Sequence, residues 1–79
     1  MDILNGMAVF TAVVDAGSFT AAGDKLGISK SAVSKQVTRL EDQLGARLLN
    51  RTTRSLSLTD AGHLFFERAS RIMEEAEEA

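Results

Sequence analysis

The chain has 79 residues, a formal net charge of −2 and an apolar content of 44%, and it contains neither cysteine nor proline. This length fits one small domain, and the apolar content excludes a disordered segment. The lack of cysteine excludes a disulfide framework and fits a reducing cytoplasm, and neither a signal peptide nor an apolar run long enough to span a membrane is recognisable.

The charged residues are segregated along the chain. Residues 1–24 contain three acids and no Lys or Arg, residues 25–54 contain seven basic residues against two acids, and residues 55–79 contain six acids against two arginines. The middle segment therefore carries a local charge of +5 in a chain that is acidic as a whole. Because a polyanion responds to the local field, this distribution is compatible with nucleic-acid binding.

A first helix is predicted over residues 2–16, with Asp2 as its cap and Gly17 at its end. Its apolar stripe consists of Ile3, Met7, Phe10 and Val14, widened by Val9 and Val13. Nothing in this segment carries chemistry, so its expected role is to support the core.

A second, short helix is predicted to begin at the N-cap Ser18 and to end at Leu26, which is expected to point inward. Gly23 within it indicates a tight helix crossing, because glycine costs about 1 kcal/mol relative to alanine in a helix interior. In the following turn, Gly27 supplies a left-handed residue and Ile28 is expected to fill the core. A short helix, a turn with glycine and a further helix together predict a helix-turn-helix.

The third helix is predicted over residues 29–45, with Ser29 as its N-cap and Gly45 as its C-terminal stop. Its narrow apolar stripe consists of Val33, Val37, Leu40 and Leu44. The opposite side is short, polar and cationic, and carries Lys30, Ser31, Ser34, Lys35, Thr38 and Arg39. Such a side suits a helix that enters a DNA groove, although an amphipathic helix with a solvated outer face has the same pattern.

Residues 46–58 break the helical period and predict two short strands around an exposed basic turn, a wing. Its apolar anchors are Leu48, Leu49, Leu56 and Leu58. Arg54 in the turn suits a minor groove, where negative potential is focused, whereas Arg51 is as compatible with bracing the wing or binding phosphate as with reading a base.

The roles of two further arginines stay open at this stage. Arg39 and Arg47 are expected either to contact phosphate or to pair with Glu41 and Asp42.

A long helix is predicted over residues 59–79, with Thr59 as its cap. Its apolar face is wider than a small core should need, so part of it is expected to meet a second copy of the chain. The predicted interface residues are Phe66, Ala69, Met73 and Ala76.

No catalytic, metal or cofactor site is predicted. His63 is the only histidine, the C-terminal acids form no recognisable pair, and the glycines are too scattered for a phosphate loop. An enzyme is therefore not expected. Besides a DNA-binding domain, a helical protein-interaction module and a small ligand-binding helical domain remain as alternatives.

The whole chain resembles the N-terminal DNA-binding domain of LysR-type transcriptional regulators. The resemblance rests on Phe10, Gly17-Ser18-Phe19, Ala21-Ala22, the segment LGISKSAVSKQVTRLEDQLG from Leu26, and the segment LLNRTTRSLSLTDAG from Leu48 to Gly62. It implies a mainly α winged helix-turn-helix with a three-helix core and a two-stranded wing over residues 1–58, and a linker and dimerisation helix over residues 59–79. It also implies an effector-binding domain beyond this chain, which would then be a truncated form or a fragment.

The resemblance also implies the site and the partners. The implied DNA-binding residues are Ser29, Lys30, Ser31, Ser34, Lys35, Thr38, Arg51 and Arg54. The implied target is double-stranded promoter DNA with an interrupted palindrome, bound in the bacterial cytoplasm by a homodimer that pairs into a tetramer in the full-length regulator, without a cofactor. The family often has Gln, Pro and Arg where this chain has Lys30, Ser31 and Lys35, so its base preference does not carry over.

Overall fold

The computed structural model of the chain describes residues 3–51 and 56–78. The elements follow in the order α1 (Ile3–Ala16), α2 (Phe19–Leu26), α3 (Lys30–Leu44), β1 (Leu49–Arg51), β2 (Leu56–Leu58) and α4 (Asp60–Glu78). The predicted mainly α winged helix-turn-helix is therefore confirmed. Asp2, the predicted cap of the first helix, lies outside the described residues.

The core is built around α1, which packs against α2, α3 and α4. Phe10 of α1 is completely buried, and its ring centroid lies 5.7 Å from that of Phe65 and 6.3 Å from that of Phe66. The tilted and edge-on arrangements are those that aromatic pairs favour. The other core residues are Val9, Ala12, Val13, Ala22, Val33, Val37, Leu40, Leu48 and Leu49.

The caps of the helix-turn-helix are those that the sequence predicts. The hydroxyls of Ser18 and Ser29 each accept a hydrogen bond from the backbone N–H three residues later, at 3.0 and 3.1 Å. Gly27 and Gly45 end α2 and α3 in the left-handed region, with φ of 74° and 69°. Both helix boundaries at the turn are therefore set by local chemistry.

Three apolar residues expected inside the core lie at its edge. Leu26, Ile28 and Leu44 are 38%, 39% and 37% exposed. Leu26 and Leu44 are the last residues of their helices and Ile28 is in the turn, so all three lie where the packed elements end. The prediction of an inward Leu26 and a core-filling Ile28 is wrong for this reason.

Gly23 also has a different role from the predicted helix crossing. A Cβ at this position would lie 2.7 Å from the carbonyl oxygen of Ile28, closer than real Cβ contacts allow. The backbone N–H of Ile28 in turn donates to the Gly23 carbonyl at 2.9 Å. Glycine is therefore required because the turn folds back onto α2.

The predicted strands form an antiparallel hairpin in which Leu49 pairs with Leu58 and Arg51 pairs with Leu56. Leu48 and Leu49 are fully buried, whereas Leu56 and Leu58 are half-buried against the core. The hairpin is thus anchored mainly through the residues at its N-terminal base.

The start of α4 is fixed by Thr59. Its hydroxyl accepts from the Gly62 N–H at 2.9 Å, as predicted for a cap, and also donates to the Arg47 carbonyl at 2.6 Å. A side chain at Gly62 would collide with the Leu48 carbonyl oxygen. The first turn of α4 therefore lies directly against the segment that leads into β1.

Candidate nucleic-acid interface

The two sides of α3 differ in burial as the sequence predicts. Val33 and Val37 have no exposed surface and Leu40 is 1% exposed, so the apolar side is locked into the core. On the other side Ser29, Lys30, Ser31, Lys35 and Arg39 are exposed, and Ser34 and Thr38 are half-buried. No element covers the polar side in the part of the chain that the structure describes, because α1 and α2 both pack on the apolar one.

The polar side chains of this surface are not engaged within the protein. Among residues 3–51 and 56–78, the side chains of Lys30, Ser31, Ser34, Lys35 and Thr38 make no hydrogen bond or ion pair. Each keeps its full donor capacity, and the hydroxyls also keep their acceptor capacity. We call these five residues together with Ser29 the α3 polar face.

The local field at this face is positive. The first turn of α3 contains no acid, and its free N–H groups form the positive end of the helix dipole. Lys30 and Lys35 add two full charges there, and the acids of α3, Glu41 and Asp42, lie towards the other end of the helix. This arrangement attracts phosphate oxygens and the acceptor atoms of base edges.

Glu41 is the residue that sequence reasoning missed. It is only 4% exposed, and its Oε2 accepts hydrogen bonds from the backbone N–H of Leu48 at 2.8 Å and of Leu49 at 3.1 Å. The one available signal was its position directly after Leu40, next to the apolar stripe. The carboxylate ties α3 to the base of the wing.

The open alternatives for Arg39 and Arg47 are partly resolved. Arg47 Nη1 lies 3.5 Å from Glu41 Oε1, so Arg47 pairs with Glu41 rather than with Asp42. Arg39 is exposed and pairs with no acid among the residues that the structure describes. Of the two, Arg39 is the one that stays available for a phosphate.

The predicted wing contacts fall mostly outside the described part of the chain. Arg51 ends β1, but its side chain is not among the described atoms, and Arg54 lies outside the described residues altogether. Both remain predictions from the sequence.

Part of the predicted dimer interface belongs to the core instead. Ala69 has no exposed surface within its own chain, and Phe66 packs against Phe10. Ala69 is therefore covered by its own chain, whereas Phe66 is half-buried and keeps part of its surface exposed beside Met73. The large apolar residues that α4 exposes are Leu64, at 57%, and Ile72, at 40%, and the predicted interface residue Ala76 is also exposed.

The sequence matches one known protein family over most of its length. The family described as bacterial regulatory helix-turn-helix protein, lysR family, matches residues 4–63. The chain belongs to the LysR family. Because this is a family of transcription regulators, the prediction that the chain is not an enzyme is confirmed.

Characterised relatives support the same assignment. An HTH-type transcriptional repressor of Pseudomonas aeruginosa is 53% identical over 78 residues, which cover 99% of this LysR chain and 25% of that protein. The regulator CrgA of Neisseria meningitidis is 54% identical over 69 residues, which cover 87% of this chain and 23% of that protein. The chain therefore spans about a quarter of the length of these relatives.

Solved structures of LysR proteins share the fold. The BenM DNA-binding domain in complex with catB site 1 DNA superimposes with a TM-score of 0.91 at 37% identity, covering 99% of this chain and 86% of that one. The CbnR DNA-binding domain in its DNA complex gives a TM-score of 0.89 at 40% identity, covering 99% and 88%. This chain is thus a LysR-type DNA-binding domain. In the residues described, no helix combines the length and hydropathy of a membrane span.

Proposed function

We propose that this LysR domain recognises a specific sequence in double-stranded promoter DNA by inserting the N-terminal half of α3 into the major groove. The observation that carries the proposal is the α3 polar face. It is cationic, its residues are exposed or half-buried, and its side chains other than that of the cap Ser29 are unengaged, while the reverse side of the same helix is buried in the core. Solved BenM and CbnR domains with the same fold were captured as DNA complexes. A promoter target implies action in the bacterial cytoplasm.

Each residue of the face has a chemical role in this proposal. Lys30 and Lys35 donate to guanine O6 and N7 or to phosphate, and Ser31 and Ser34 donate to or accept from base edges. Ser29 and Thr38, at the two ends of the face, contact the sugar-phosphate backbone and fix the register. Because lysine is a flexible point charge rather than a planar fork, base selection relies on the combination of side chains.

We propose that the wing supplies a second contact, with Arg54 in the minor groove and Arg51 at a phosphate. The hairpin of β1 and β2 leads from the core into the basic segment that carries Arg54. Narrow, A·T-rich minor grooves concentrate negative potential and favour arginine.

We further propose that the domain works as a homodimer through α4 and that residues 1–58 form the DNA-binding unit and residues 59–79 the linker helix. The exposed Leu64 and Ile72 lie on the same half of α4, about 80° apart around its axis, and the exposed Ala76 follows Ile72 by about one turn. In this proposal Leu64 and Ile72 add to the predicted interface residues Phe66, Met73 and Ala76, whereas Ala69 is buried against its own chain. An effector domain and tetramer formation belong to the full-length regulator.

The first experiment is selection of bound duplexes from a random pool with the purified chain. We expect an interrupted palindrome, since two copies related by a two-fold axis read two half-sites. Weak binding that enriches no motif would favour a helical protein-interaction module instead.

Lys35→Ala tests the α3 polar face on the selected duplex. Loss of a base contact should weaken specific binding by about 1–3 kcal/mol and leave binding to random duplex less affected. An equal loss on both duplexes would reduce Lys35 to a phosphate contact.

Leu64→Glu tests the dimer. It places a charge in the proposed interface, so the sedimentation mass should shift towards that of a monomer. His63→Glu adds the same charge on a different side of α4 and serves as the control. An unchanged mass for Leu64→Glu in a dimeric parent would contradict this interface.

A further inference from the structure

Three successive residues at the base of the wing are held from two sides. On one side, the Glu41 carboxylate of α3 accepts from the N–H groups of Leu48 and Leu49. On the other side, Thr59 at the start of α4 donates its hydroxyl to the Arg47 carbonyl and its N–H to the Leu48 carbonyl at 3.0 Å. The path of the backbone into β1 is therefore fixed by both helices.

A glutamate is unusual at a buried position such as that of Glu41. It is only 4% exposed, and burial of a carboxylate is unfavourable unless hydrogen bonds compensate for the lost water. Two backbone N–H groups provide charge-assisted hydrogen bonds at 2.8 and 3.1 Å. The Arg47 side chain is 69% exposed, and its Nη1 lies 3.5 Å from Glu41 Oε1, so water screens this ion pair. Of these three contacts, the two with the amides are the stronger.

Both protein elements that are proposed to contact DNA meet at this carboxylate. Glu41 belongs to the same helix as the α3 polar face, a little under two turns beyond Lys35. Leu49 begins β1 directly after Leu48, β1 ends at Arg51, and Arg54 follows three residues later in the sequence. The hydrogen bonds of Glu41 thus connect α3 directly to the segment from which the hairpin starts.

We infer that Glu41 is a positioning residue for DNA binding, whose buried carboxylate holds the base of the wing at the distance and angle from α3 that let both elements reach the duplex together. The inference rests on the proposed function of the wing. Glu41 touches no DNA in this scheme and acts through the backbone of Leu48 and Leu49.

The first test is a double-mutant cycle with Glu41→Gln and Arg54→Ala on the selected duplex. Glutamine keeps the size of the side chain but removes the charge that strengthens the amide contacts. Arg54→Ala should weaken binding about tenfold in the parent and less than about threefold in the Glu41→Gln background, because a displaced wing no longer places Arg54 in the groove. An equal loss in both backgrounds, corrected for the folded fraction, would overturn the inference.

Two controls distinguish a positioning role of Glu41 from two other effects, the loss of one negative charge and a general loss of affinity for DNA. Asp42→Asn removes one negative charge from the neighbouring, exposed position and should leave the cost of Arg54→Ala at its parental value. Lys35→Ala should cost the same in the parent and in the Glu41→Gln background, because Lys35 lies on α3 itself and not on the wing. If Glu41→Gln reduced the cost of Lys35→Ala as much as the cost of Arg54→Ala, the variant would have a general binding defect. This result would contradict the inference.

A second measurement does not depend on DNA. In the parent chain the amides of Leu48 and Leu49 should exchange with deuterium as slowly as core amides of α3 such as that of Leu40, because Glu41 releases them only when the domain opens. In Glu41→Gln these two amides should exchange at least about tenfold faster relative to the Leu40 amide. Fast exchange in the parent, or no change in the variant, would overturn the inference.

The outcomes separate this inference from the proposed function. If the parent selects no DNA motif, or if Arg54→Ala costs nothing in the parent, the proposed DNA or wing contact is wrong. The hydrogen-exchange result still decides in those cases whether Glu41 holds the base of the wing.

Discussion

The two ends of α3 have opposite relations to the rest of the protein. At the N-terminal end, Lys30 and Lys35 are exposed and have no partner among the described residues. At the other end, Glu41 is buried and bound to two backbone amides. The same helix therefore leaves one set of polar groups free for a ligand and uses another to build the protein.

This difference shows that, in a domain of 79 residues, some polar groups stabilise the fold and others remain available for binding. A buried polar group contributes to stability only when its hydrogen bonds are satisfied, and its removal leaves partners unsatisfied. An exposed and unengaged group contributes little to folding and remains available for recognition. Substitutions at the two ends of α3 should therefore have effects of different kinds.

Glu41→Ala should have the largest effect on stability. It leaves the buried N–H groups of Leu48 and Leu49 without their acceptor, and we expect a loss of about 3 kcal/mol in the free energy of unfolding. Urea denaturation followed by circular dichroism measures this loss. Asp42→Ala, at the exposed neighbouring position, should change it by less than about 0.5 kcal/mol. A loss below about 1 kcal/mol for Glu41→Ala would remove the contrast between the two ends.

The sequence could not predict the role of Glu41, because its partners are seven and eight residues away and depend on how the chain turns after Gly45. Periodicity indicates only that position 41 borders the apolar stripe. The caps Ser18, Ser29 and Thr59 are predictable because a cap bonds to an N–H group three residues later, within the same local segment.

Gly62→Ala should have the second largest effect. Alanine favours helix by about 1 kcal/mol over glycine, but here its Cβ collides with the Leu48 carbonyl oxygen at the base of the wing. We expect a net loss of about 2 kcal/mol in thermal or urea unfolding. The control is Gly6→Ala in α1, where the nearest atoms are Cδ1 and Cβ of Leu40 at 3.2 and 3.3 Å, so a shift of a few tenths of an ångström removes the close contact. Equal losses in the free energy of unfolding for Gly62→Ala and Gly6→Ala would show that the Leu48 backbone moves to accommodate the added Cβ.

A third comparison uses the two serine caps. Ser18→Ala and Ser29→Ala each remove one hydroxyl that accepts from a first-turn N–H, so each should cost about 1 kcal/mol of stability. Only Ser29→Ala should also weaken binding to the selected duplex, since Ser29 belongs to the α3 polar face. Fluorescence anisotropy with labelled duplex measures this difference. Equal loss of affinity in both variants would assign it to helix stability alone.

Lys35→Ala should have the smallest effect on stability, less than about 0.5 kcal/mol, because the side chain is exposed and unengaged. If Lys35 contacts a phosphate, the slope of log affinity against log salt should fall in magnitude by about 1. Titrations at several salt concentrations measure the slope. A large loss of stability would contradict the separation between the two ends of α3.

The apolar residues show the other limit of sequence reasoning. The sequence predicts that Phe66 and Ala69 lie on an apolar face of α4. Periodicity alone does not tell whether this face packs against its own chain or against a second copy. In the structure Phe10 of α1 lies against Phe66, and Ala69 has no exposed surface, so part of this face packs within its own chain. The expectation of an inward Leu26 and Ile28 fails for a related reason, since periodicity gives no information about the edge of a small core.

The absence of an acid from the first turn of α3 has a practical consequence for handling the protein. An end of a helix that carries two lysines and no acid attracts polyvalent anions without regard to their chemical identity. The domain should bind a heparin column in spite of its acidic isoelectric point, and phosphate or sulfate in the buffer should compete with oligonucleotides. Chloride or acetate buffers are therefore the better choice for titrations.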